Sequence, residues 1–192
     1  MTITQKKTET RPNPLGRSVL NSGERVVAAA TVPVCLYLLF VLHYSLNVPL
    51  ADDWLIVPLV KAAHHGQLPL WSQYGERRLV VGRAIIIGFG LFDHLNEQHV
   101  MLFTALVFIA SYVIFLTMLK SYRKLTWPLV LVTGVVWFTL TDWQNALWSF
   151  QLSWYLVVFF FIVMTALLLK NRPVLFSLSS LLSLGRCRTS QG

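Results

Sequence analysis

Four stretches of this chain contain no Asp, Glu, Lys or Arg, and they constrain its fold more than anything else: Val26–Leu46, Val100–Leu119, Trp127–Leu140 and Leu152–Leu169. The first two run to 21 and 20 residues, close to the ~20 that an α-helix needs to cross ~30 Å of hydrocarbon. Charges are expensive inside such segments, so their exclusion from all four is what a bilayer demands. A soluble domain of 192 residues buries one core and has no room to hide four uninterrupted apolar runs. Only 12% of the residues are charged, about half the fraction of a soluble domain. The pattern predicts an all-α integral membrane protein.

The expected organisation has about four transmembrane helices plus a partial fifth, with amphipathic helices in a long outer loop. A basic leader (1–25) precedes helix one (26–46), an outer loop (47–99) and helix two (100–119). A connector (120–124) leads to helix three (125–141), a second outer loop (142–151) and helix four (152–169). Residues 170–192 form a link, a partial apolar segment and a tail. The third run is short and spans only by recruiting its neighbours. The first run reads as an uncleaved span rather than a signal peptide, because its leader is long and no small-x-small site follows Leu46.

Basic residues orient the chain. Lys6, Lys7, Arg11, Arg17 and Arg25 lie in the leader, and Lys120, Arg123 and Lys124 in the short connector. The positive-inside rule then puts the N-terminus in the cytoplasm, with a bacterial inner membrane as the expected location. Six acids, Asp52, Asp53, Glu76, Asp93, Glu97 and Asp142, fall in the two outer segments. The net charge of +8 is therefore an inner-face property, and no nucleic-acid-binding motif accompanies it. Membrane lipid is the expected partner. Cys35 and Cys187 are placed too differently for a disulfide, and the histidines show no metal-ligand spacing.

The outer loop is long enough to hold structure. Leu55–His65 predicts a helix with Leu55, Ile56, Leu59, Val60 and Ala63 on one face and Gly66 at its end. Leu79–Leu91, an apolar stretch broken by Gly82, Arg83, Gly88 and Gly90, is expected to lie on or dip into the interface. Were it to cross, every downstream loop would change sides.

Three constellations carry chemistry. Asp52-Asp53-Trp54 places two carboxylates just past the first apolar run. One can serve as general base toward an acceptor hydroxyl, one can hold a divalent cation, and mutual repulsion in the pair can raise one pKa; alternatively one caps the helix that follows. No motif specifies any other cofactor. Glu76, Arg77, Arg78 and Arg83 put guanidinium groups on the outer face, against the charge bias; they suit either phosphate or lipid headgroups. Gln144, Asn145, Trp148 and Gln151 form an amide-and-aromatic stripe that continues toward Tyr155. It reads as a sugar site or as an interfacial aromatic belt. If the acid pair is catalytic, one carboxylate should point into an outer-face cavity near the arginines or Gln144.

These residues together resemble the GT-C superfamily of membrane glycosyltransferases, in particular the bacterial enzymes similar to protein O-mannosyltransferases. Asp52-Asp53-Trp54 opening the first outer loop, Gly75-Glu76-Arg77-Arg78-Leu79 in the same loop, and Asp142–Trp148 in the next carry the likeness. The resemblance implies sugar transfer from a polyprenyl-phosphate donor to a hydroxyl acceptor on the outer face. It implies Asp52 or Asp53 as the catalytic acid, with Arg77, Arg78 and Arg83 at the donor phosphate. Family members have more spans, so the chain reads as an N-terminal portion. The alternative is a non-catalytic multi-pass protein, such as a small subunit or a transporter fragment; apolar span interiors count against a transporter.

Overall fold

The computed structural model describes residues 22–67, 70–71, 79–122, 124–141 and 143–170. Among these residues the structure is helical, with no strand. Three helices are long and apolar enough to cross a membrane: α1 (Ser22–Tyr44), α4 (Glu97–Tyr122) and α7 (Leu152–Lys170), the last extended by a 3₁₀ turn at Ser149–Gln151. At 1.5 Å per residue each is longer than ~30 Å. This is consistent with an integral membrane protein, as are the exposed Val132, Val135 and Val136 and the exposed Val157, Phe161, Met164 and Leu167.

The outer loop holds a 3₁₀ turn at Ala51–Leu55, then α2 (Val57–His64) and α3 (Val80–Phe92). In α2 the expected face forms: Ile56 and Val60 are buried, Leu59 and Ala63 pack beside them, and Gly66 ends the segment at φ +78. Leu55 belongs to the preceding turn instead and is exposed. Helix α3 has 13 residues, about 20 Å, which is short of the hydrocarbon thickness. It packs on α2 and α7, and its glycines explain how. A Cβ on Gly82 would stand 2.1 Å from Ser153 Oγ, and one on Gly90 2.5 Å from a Val60 methyl. These glycines let the helix backbone close onto the Ser153 and Val60 side chains, and Arg83 beside them is buried.

Helix α5 (Trp127–Trp137) begins with Pro128 in its first turn, where a missing N–H costs nothing. It has 11 residues, so it is shorter than the 125–141 expected. Thr139 and Thr141 beyond it hydrogen-bond to each other at 2.9 Å rather than extending the helix. The chain still travels back from the Tyr122 end of α4 to its Glu97 end. Tyr112 Oη donates to Val130 O at 3.2 Å, and Phe138 and Ala146 reach the cluster formed by Met101 and Ala105. A single turn, α6 (Trp143–Ala146), leads into α7. Helix α1 packs on α5 and α4 on α7, with Gly134 permitting Pro33 and Tyr112 to approach.

Candidate functional site: an acid junction beside an amide-aromatic cleft

A helix start leaves N–H groups without acceptors, and the start of the 149–170 helix finds its acceptor far away in sequence. Asp53 Oδ1 accepts Phe150 N–H at 3.1 Å and the Ser149 hydroxyl at 2.7 Å. Its Oδ2 accepts Leu50 N–H at 2.9 Å. Asp53 therefore closes its own turn and caps a helix 96 residues downstream, where the positive dipole end favours a carboxylate. The side chain is 1% exposed. Burial is the largest influence on it and pushes the carboxyl above its ordinary value; the three hydrogen bonds pull the other way, and the Asp52 charge adds to the rise. Ala51, just before the pair, adopts a left-handed φ of 47, a conformation that costs a residue with a Cβ about 1 kcal/mol or more.

The same loop caps α4. Asn47 Oδ1 accepts Glu97 N–H at 2.9 Å, Asn96 Oδ1 accepts Gln98 N–H at 3.1 Å, and Gln98 Nε2 donates to Ser45 O at 2.8 Å. Both outer segments thus meet at one end of the helices. Glu97 is 1% exposed, close to Ser149 and Asp53, and its Oε2 meets no hydrogen-bond donor among the described residues. Sequence reading counted Glu97 only as one more outer acid; its place at a helix N-terminus three residues before an apolar run was the available signal. No third His, Cys, Asp or Glu joins this pair among the described residues. His99 and Asp93 pair at the surface nearby.

Beside the junction, between α1, α4, α5 and α7, lies a cleft of about 550 Å³. Asn145, Gln151 and Thr139 line it with polar groups, and Trp137, Trp143, Trp154 and Tyr155 supply aromatic walls. The Tyr37 hydroxyl lies against Tyr155, and Trp137 Nε1 is buried behind the wall with no acceptor among the described residues. The junction shapes the cleft, because Gln151 follows directly on the Ser149–Phe150 segment that Asp53 holds.

The expected site residues therefore divide. Asn145 and Gln151 come together in the cleft. Gln144 is exposed and outside its lining, and Trp148 packs instead against the α2–α3 cluster, with its ring 6.1 Å from Phe150. Asp52 is partly exposed. Asp53 points inward to backbone and hydroxyl donors rather than into a cavity. Arg83 is buried within α3. Glu76, Arg77, Arg78 and Asp142 lie outside the described residues. Tyr37 and Trp137 were missed, because a lone aromatic in an apolar run looks like core until the cleft beside it is seen. No family model, no curated protein and no solved structure matches this chain.

Proposed function

We propose that this chain is a membrane glycosyltransferase, or the N-terminal portion of one, that moves a sugar from a polyprenyl-phosphate donor to a hydroxyl acceptor on the outer face. The supporting observation is the cleft. Amides that both donate and accept, a threonine hydroxyl and aromatic faces form a lining suited to a polyhydroxylated ligand. In this reading the N-terminus is cytoplasmic in a bacterial inner membrane, and α5 with its flanking residues makes a fourth crossing. Asp52 is the candidate general base, because the Asp53 oxygens are already engaged by three donors and Asp53 serves as a positioning residue. Arg77 and Arg78 are the donor-phosphate candidates. Arg83, being buried, supports the loop instead.

One observation favours the second reading, a non-catalytic multi-pass membrane protein: the more buried acid of the pair is fully used in joining the two loops. Transfer separates the readings. The full chain is reconstituted in liposomes with a polyprenyl-phosphate sugar, and transfer to a hydroxyl acceptor is followed. The transferase reading expects transfer that falls about 100-fold or more in Asp52→Asn. Absence of transfer, or transfer unchanged in that variant, would remove it.

A further inference from the structure

The amide-aromatic cleft does not end at its aromatic walls. A second cavity of about 430 Å³ adjoins it, and Trp137 and Val158 line both. Phe115, Met118, Phe161 and Ile162 complete this lower part. Its one hydroxyl, on Thr165, is already spent on Phe161 O at 2.8 Å. Along α7 the lining descends from Gln151 through Tyr155 and Val158 to Thr165. At 1.5 Å per residue this track is about 21 Å long. It starts among polar groups at the outer end and finishes in wholly apolar surface.

Charge decides what kind of head fits the upper part. None of its described lining residues is charged, and Asp142, next in sequence to the lining residue Trp143, is an acid. An anionic phosphate head there would be desolvated with no cation among the described lining residues to compensate it. Hydroxyl groups meet the opposite situation. They can exchange hydrogen bonds with the Asn145 and Gln151 amides, which both donate and accept.

We infer that the two cavities form one site for an amphiphile with an uncharged polyhydroxyl head and an apolar chain, the chain lying between α4 and α7. Resting on the transferase reading, this makes the acceptor a neutral lipid-linked sugar that enters from the bilayer, separate from the phosphate-bearing donor.

The test uses the full chain in phosphatidylcholine nanodiscs and an alkyl maltoside carrying a photoreactive diazirine in its chain. Labelling is expected on residues 115–118 and 157–165. Unlabelled alkyl maltoside should compete, while free maltose and an alkyl phosphate of the same length should not. Gln151→Ala should lower labelling about fivefold, the value of one hydrogen bond near 1 kcal/mol. Asn145→Ala with Gln151→Ala should lower it further. Labelling spread equally over Val132, Val135 and Val136, or insensitive to these variants, would overturn the inference in favour of ordinary bilayer lipid. Equal competition by the alkyl phosphate would overturn the head-group assignment. Because binding is read without donor, binding with no transfer strikes the transferase reading alone.

Discussion

The junction around Asp53 and the cleft around Gln151 are neighbours in space and opposites in how they treat polar groups. At the junction a carboxylate is 1% exposed, and donors from three residues converge on it. In the cleft, the Asn145 and Gln151 amides line open space. Polar groups engaged within the chain hold structure, whereas those that line open space can meet a ligand. Asp53 was the sharper candidate in the sequence, yet its geometry is that of a cap.

The largest expected effect strikes the junction. Asp53→Ala strands Leu50 N–H, Phe150 N–H and the Ser149 hydroxyl together, and should lower stability by about 3 kcal/mol or more. Thermal unfolding in detergent reads this, and an unchanged midpoint would erase the contrast between the two regions. Gly82→Ala comes next. Its Cβ would meet Ser153 Oγ at 2.1 Å, so α3 must move away from the start of α7, at a cost of about 1–3 kcal/mol.

A pH series sharpens the contrast further. Burial raises the Asp53 carboxyl above its ordinary 3.8, so the folded chain holds that proton more tightly than the unfolded chain. Its contribution to stability is full below about 3.8, is lost as pH rises through the higher folded value, and changes no more beyond it. Asp53→Asn should flatten this slope, and a slope that survives the substitution assigns it to another group. The smallest effect is a gain. Ala51→Gly relieves the left-handed φ of 47 and should leave the chain unchanged or raise its stability by about 1 kcal/mol.

Legibility in the sequence followed the range of the interactions. The long apolar runs and the face of α2 were readable because hydrophobic periodicity is local. The extent of α5 was not, since Thr139 and Thr141 satisfy each other instead of extending the helix. Gly82 and Gly90 read as breaks in an interfacial segment, although they are the closest contacts of a packed helix. The expected cap on the helix that follows the acid pair is not made: α2 starts after Ile56 with no side-chain cap, and Asp53 reaches back to Leu50 N–H instead. Its second and larger duty, 96 residues away, depends on two loops meeting, and no spacing along the chain encodes that. Asn145 and Gln151 were legible as amides near an outer face. Tyr37 and Trp137 were not, because only the packing of separate helices brings them to one cleft wall.

Stability and amphiphile affinity measured side by side on Asp53→Ala and Gln151→Ala test this division most directly. Gln151→Ala should leave the unfolding midpoint within the effect of about 0.5 kcal/mol and weaken alkyl maltoside binding about fivefold or more. Asp53→Ala should lower the midpoint strongly. If Gln151→Ala instead destabilises the fold as Asp53→Ala does while binding persists, the cleft is ordinary packing and the distinction between holding and binding polar groups fails.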